Sequence, residues 1–249
     1  MIVTLVLEGD WVSVTSSRRV KAFPFGFSGR ILPTMEDLPF KVEKLIDGWS
    51  FFWAQLVLTS GDQHALGTLR SEVAESVRAR YELASLASDP TVSGLRKLFK
   101  AVRCDPSRYR PSSEALLRRL LKGSEIPAIH PLVDLNNCLS AELAVPCCVM
   151  SEGTFEPPLI WRAGREGESY ESLRGPFNLE KKPLLLDTLG PLDAPITGSQ
   201  RVKVTSETRS AWLVSYLPAS AVTPERAEEK LTQLVGRAPV AEILLTAAC

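Results

Sequence analysis

Histidine is almost missing from this chain: among 249 residues only His64 and His130 carry an imidazole. A histidine-based metal centre or catalytic triad therefore has almost no material. Cysteine is scarce and badly spaced for metal or disulfide chemistry. Cys104, Cys138, Cys147, Cys148 and Cys249 are odd in number and contain no Cys-x-x-Cys pair. Adjacent Cys147 and Cys148 bridge poorly, because such a linkage is strained. Neither a zinc site nor a disulfide framework is expected, and no cofactor is implied. Long apolar runs are also lacking. The longest uncharged apolar stretch, Gly48 to Gly61, has 14 residues and includes Gln55, Thr59 and Ser60. It is too short and too polar to span a bilayer. Met1-Ile2-Val3-Thr4 brings no basic leader and soon meets Glu8 and Asp10, so it does not read as a signal peptide. A cytoplasmic protein is expected.

What is present belongs to a globular chain. The composition is 45% hydrophobic and 23% charged, enough to build a core without staples. Net charge is zero, from 29 basic and 29 acidic side chains, but the charges are segregated. Gly94 to Gly123 holds nine basic residues against Asp105 and Glu114; Ser124 to Gln200 holds eleven acidic residues against five basic. Such a basic segment is either a face that meets phosphates or a solvated helix pair.

The first 60 residues read as a β-rich extension. Ile2–Leu7 and Trp11–Thr15 flank Glu8-Gly9-Asp10 as a hairpin would, and Phe51–Leu58 is a further β-prone run. Between them, the aromatics of Phe23–Gly29 either fold onto the core or offer faces to a base. Helices follow. Val73, Val77, Tyr81 and Ala84 share one face of a helix over Ser71–Ala87, which Asp89-Pro90-Thr91 breaks. Leu95, Leu98, Phe99 and Val102 mark a second helix. Pro111-Ser112-Ser113-Glu114 opens a third, striped by Leu116, Leu117, Leu120 and Leu121 and stopped by Gly123. Strands are expected over Ala144–Val149, Leu159–Arg162, Leu184–Asp187, Arg201–Thr205, Trp212–Leu217 and Val240–Leu245. A last helix runs from its cap, Thr223, to Val235, where Gly236 stops it. Strands and helices mix without strict alternation, so the fold class is α+β.

Three stretches carry a resemblance. They are Arg108-Tyr109-Arg110-Pro111-Ser112-Ser113-Glu114-Ala115-Leu116-Leu117-Arg118-Arg119, then Ile126 to Asn137, then Arg165-Glu166-Gly167-Glu168. Their order and spacing resemble the B3/B4 domain of the phenylalanyl-tRNA synthetase beta subunit, and more closely the free-standing B3/B4 proteins. The resemblance covers roughly Ser71 to Pro218 and implies a B3/B4-like domain over residues 61–249, after an extension of residues 1–60. In the synthetase this domain hydrolyses tyrosine wrongly esterified to phenylalanine tRNA. The resemblance therefore implies a trans-editing aminoacyl-tRNA deacylase whose partner is mischarged tRNA. The alternative is a non-catalytic module that binds an amino acid or a tRNA end.

The same resemblance implies a site. The family's Asp-x-Thr-Asn segment matches Asp134-Leu135-Asn136-Asn137, which puts the pocket asparagine at Asn137. Where the family has Gln-Pro-x-His, this chain has Val145-Pro146-Cys147-Cys148, so Cys148 stands at the histidine position. The family's recognition glutamate falls on Gln200, counted back from Val204-Thr205-Ser206-Glu207-Thr208. An aminoacyl ester is already activated; a site need only hold its carbonyl near oriented donors and admit one positioned water. Asn137 and Gln200 are the expected catalytic groups, with Asn136, Ser199, Cys148 and Asp134 around the substrate. Arg110, Arg118, Arg119 and Lys122 are candidates for tRNA phosphates. Structural roles stand beside these. Asp134 and Asn136 sit just before an expected helix and would cap it. Arg110 and Glu114 would form an internal ion pair, Cys148 would be a small buried hydrophobe, and His130 a loop residue. A cysteine hydrolase using Cys148 and His130 would lack a third, orienting group.

Overall fold

The computed structural model describes residues 38–249. The expected hairpin of Ile2–Leu7 and Trp11–Thr15 and the Phe23–Gly29 segment lie outside them. In chain order the elements are β1 (Val42–Lys44), β2 (Trp49–Leu58), α1 (Gln63–Arg80), α2 (Pro90–Ala101), α3 (Ser112–Leu120), α4 (Pro131–Leu143) and β3 (Cys147–Ser151). There follow β4 (Leu159–Ala163), β5 (Ser169–Ser172), β6 (Gly175–Asn178), β7 (Pro183–Asp187), β8 (Gly190–Ala194), β9 (Thr197–Gly198), β10 (Ser210–Pro218), α5 (Pro224–Arg237) and β11 (Ala241–Ala248). The α+β class holds.

Strand β2 explains the layering. Its apolar run does not alternate with polar residues because both of its faces are covered. Phe52, Ala54 and Leu56 join a core with Leu69 and Val73 of α1, Leu135 and Leu139 of α4, and Leu231 of α5. Phe51 and Trp53 point the other way, into a second core with Trp161, Leu185 and Tyr216. There the indole of Trp161 stacks on Tyr216 at 5.1 Å and meets Phe51 edge-on at 5.2 Å. Strand β2 sits inside an antiparallel sheet of order β11-β2-β10-β3, and a second sheet of order β1-β4-β7-β8-β9 covers its other face. The result is three layers: helices, sheet, sheet. A two-stranded ribbon, β5-β6, completes the β structure of the described residues. Strand β1 runs parallel to β4, with Val42 opposite Leu159, and β2 pairs with β10, with Trp53 opposite Val214. Residues 42–58, which the sequence reading places in the N-terminal extension, thus pair with late strands, and all described residues fall in one compact unit.

Several boundaries differ from expectation. Helix α1 starts at Gln63, because the Asp62 carboxylate accepts from the N–H groups of His64 and Ala65. It ends at Arg80, and a single 3-10 turn, Leu86–Ser88, follows. Asp89-Pro90-Thr91 does more than break a helix: Asp89 caps α2 and Pro90 takes its first position. Arg201–Thr205 is not a strand, because Ser199 Oγ accepts from Arg201 N–H and turns the chain there. Strands β5, β6, β8 and β9 were not expected, being short and rich in Gly, Pro and Ser. Helix α5 runs through Gly236 to Arg237. Asp134 and Asn136 lie inside α4 instead of before it; the cap is His130, whose Nδ1 accepts from Leu132 N–H at 3.3 Å.

Burial of β2 from both sides predicts a large penalty for emptying it. Phe52→Ala should cost about 3–5 kcal/mol, read as a drop in the midpoint of chemical unfolding with an unchanged slope.

Candidate functional site

Four carboxylates are buried among the described residues: Glu114, Asp134, Asp187 and Asp193. Three are neutralised by arginine. Glu114 accepts from Arg96 at 3.0 Å and Arg118 at 2.9 Å, with Arg110 at 3.6 Å. Asp187 takes both arms of Arg201 at 2.9 Å; burial pushes its pKa up, but Arg201 together with the N–H groups of Glu156 and Leu189 brings it below the usual range. Asp134 takes Arg70 at 2.6 Å on Oδ2, while its Oδ1 accepts from the N–H groups of Ile129 at 2.9 Å and His130 at 3.3 Å. These bonds pin the chain just before α4 and set the direction in which that helix departs.

Helical spacing then does the rest. Val133, Asn136, Asn137 and Ser140 fall on one face of α4. Val133, Asn136 and Asn137 form one wall of a cavity of about 380 Å³, closed by Cys148 and Val149 of β3, Asp193 of β8, Gly198 of β9 and Ser199. A second lobe of about 460 Å³ adjoins it, sharing Arg119, Asn137, Cys147 and Arg174 and reaching Arg110. The Asn136 amide donates to the Cys147 carbonyl at 3.4 Å, and its Oδ1 has no partner among the described residues. Exposed Arg119, Arg174 and Lys203 line the cavity at its surface, an electropositive mouth over a neutral polar wall.

Of the residues singled out by sequence, Asn136, Asn137, Cys148, Ser199 and Arg119 meet on this cavity. Others do not. Asp134 lies behind the wall, in its pair with Arg70. Gln200 is turned onto β5: its Nε2 donates to the Ser172 carbonyl at 3.4 Å and its N–H to the Glu171 carbonyl at 2.9 Å. Arg118 is committed to Glu114, Arg110 reaches only the second lobe, and Lys122 is exposed outside both. His130 caps α4 and does not line the cavity, so no Cys148–His130 pair is assembled there. Burial and the neighbouring Asp193 carboxylate push the Cys148 thiol well above its usual range. Cys147 is pushed up to about 12 by burial, against the pull of the Ser215 hydroxyl. Arg174 and Lys203 are not singled out by the sequence, and neither is the buried Asp193. Its one signal was an acid inside the otherwise uncharged Pro191-Leu192-Asp193-Ala194-Pro195-Ile196 run.

No group of His, Cys, Asp or Glu among the described residues is arranged to hold a metal ion, and no described helix is long and apolar enough to cross a membrane. A family model described as "B3/4 domain" matches residues 94–233, more than half of the chain and a span that contains all three motifs read above. No curated protein matches the chain. Among solved structures, an N-terminal fragment of the phenylalanyl-tRNA synthetase beta-subunit from Pyrococcus horikoshii is similar, at 13% identity with a TM-score of 0.44. That likeness covers 89% of this chain and 53% of the fragment, so this chain spans about half the fragment's length.

Two outcomes follow from the site's charges and thiols. Glu114→Ala leaves the partly buried Arg96 and Arg118 without their partner around a buried void and should cost about 3–5 kcal/mol, whereas Arg110→Ala, exposed and 3.6 Å from its partner, should cost under about 1 kcal/mol in denaturant unfolding. Because both wall thiols have raised pKa values, iodoacetamide at pH 8 should label Cys147 and Cys148 in the native protein far more slowly than in the denatured chain, followed by peptide mass spectrometry.

Proposed function

This chain belongs to the B3/4 domain family, and from that premise we propose that it is an aminoacyl-tRNA deacylase, acting in trans in the cytoplasm on mischarged tRNA. The observation that carries the proposal is the convergence of Asn136, Asn137 and Ser199 on one cavity whose mouth bears Arg119, Arg174 and Lys203. The chemistry matches the substrate. Phosphates of a tRNA end are drawn to the cationic mouth, and the ester behind them reaches neutral groups able to orient a carbonyl and a water. Such an ester is activated already, so oriented hydrogen bonds supply much of the acceleration needed. The free acceptor Oδ1 of Asn136 suits the substrate's ammonium group.

A second reading, a binding module without turnover, draws its support from Gln200, which is turned onto β5 and away from the wall. Deacylation of a panel of correct and mischarged aminoacyl-tRNAs separates the two. The deacylase reading expects selective hydrolysis of one mischarged species, falling by about 10²-fold in Asn137→Ala. Arg119→Ala should weaken tRNA binding and reduce its salt slope by about one unit. A flat panel combined with salt-sensitive tRNA binding would favour the module.

A further inference from the structure

Asp193 is the exception among the buried acids. Glu114, Asp134 and Asp187 each hold an arginine, but Asp193, 1% exposed, has no cation within ion-pair distance among the described residues. Its Oδ2 accepts from the Tyr216 hydroxyl at 2.6 Å. Its Oδ1, covered by the surrounding groups, makes no hydrogen bond to any described residue, and Asp193 is one of the residues that line the cavity. A buried carboxylate with an unused lone pair is unfavourable unless something in the cavity uses it. Gly198 packs beside it without a side chain: a Cβ there would stand 3.9 Å from Oδ1 and 3.3 Å from the end of Leu173.

We propose that Asp193 is the general base of the deacylation, taking a proton from the attacking water through Oδ1 while Tyr216 holds the carboxylate in place. The assignment rests on the deacylase reading above. As the water oxygen bonds to the ester carbonyl carbon, one of its protons passes to Asp193 Oδ1. When the tetrahedral intermediate collapses, the bond from that carbon to the ribose oxygen breaks, and the proton passes on to that oxygen. Asp193 returns to its ionised form; the products are the free amino acid, which loses its acid proton to solvent, and tRNA with its terminal hydroxyl restored. The base comes from β8, whereas the histidine position of the family resemblance lies on β3 at Cys148, and the two side chains are neighbours.

The titration of Asp193 suits the task. Burial raises its pKa to about 7, against the pull of the Tyr216 hydroxyl, the Cys148 thiol and the Ala194 N–H. The other titratable groups around it are Tyr216 on β10, Cys148 on β3 and Tyr170 on β5, all with raised pKa values and so neutral near pH 7. The cations of the cavity wall are Arg119, Arg174 and Lys203. The base must be ionised to act, so the rate is low below its pKa and levels off above it.

The test is the pH dependence of kcat on the tRNA that the wild-type protein deacylates, corrected for spontaneous hydrolysis. The wild type should rise with pH and inflect near 7. Asp193→Asn should lower kcat by about 10²–10⁴-fold and lose the inflection. Tyr216→Phe removes a donor to the carboxylate, so the inflection should move to higher pH; an inflection belonging to the substrate's own amine would not move. Gly198→Ala, which narrows the approach to Oδ1, should lower kcat while the fold persists. If Asp193→Asn keeps the wild-type rate and profile, the base assignment falls and the deacylase reading stands. If Asp193→Asn does not fold, unchanged rates and inflections in the other two variants overturn the assignment. A wild-type protein that hydrolyses no ester above the spontaneous rate overturns both.

Discussion

A carboxylate taken out of water must find a cation or a set of donors, and this fold is tied together at the places where it does. Three of the four buried acids join separate segments of the chain through an arginine: Glu114 joins α3 to Arg96 of α2, Asp134 joins α4 to Arg70 of α1, and Asp187 joins β7 to Arg201. Removing one partner from such a pair costs more than the pair itself contributes, because the survivor stays buried and charged. The pairs therefore act more as constraints on geometry than as sources of stability. The apolar surface buried on both faces of β2 supplies the latter.

The cavity is a by-product of these constraints. Asp134 fixes the residues that precede α4, and the helix period then delivers Asn136 and Asn137 to one wall. The opposite wall is built from β8, β9 and the turn after them, where Asp187 and Ser199 hold Arg201 by side chain and backbone. Three of the basic residues first assigned to phosphates share a helix with Glu114 or lie next to it in space, and the buried acid divides them: Arg118 is drawn inward and Arg119, one residue on, faces solvent. A one-residue step on a helix is a rotation of about 100°, enough to separate a structural cation from one free to meet a ligand.

Asp193 shows the same rule from its other side. It is as buried as its counterparts, yet its nearest polar company is a tyrosine hydroxyl and a thiol, neither of which carries positive charge. The interior tolerates this because burial raises the carboxyl pKa to about 7, so that the group sheds its charge near neutrality.

Much of the architecture could be read along the chain. The apolar stripe of α3, the Thr223 cap of α5, and strands β2, β4, β7 and β10 are local signals: side-chain period, caps and β-branched or aromatic runs. The place of Asn137 on the cavity was also legible through motif resemblance, and the basic stretch that supplies Arg119 through charge counting. Short hairpins β5–β6 and β8–β9 were not, because Gly, Pro and Ser mark a turn without saying what pairs across it. Nor could sequence distinguish Arg118 from Arg119, or Gln200 from Asp193 as the group that lines the cavity. Those outcomes depend on contacts between residues far apart in the chain: Tyr216 lies 23 positions from Asp193, and Arg70 lies 64 from Asp134. Local chemistry sets which elements form, since propensity and periodicity act within a few residues. Which polar group is neutralised and which is left free at a cavity is set by packing, since desolvation is a property of the assembled interior.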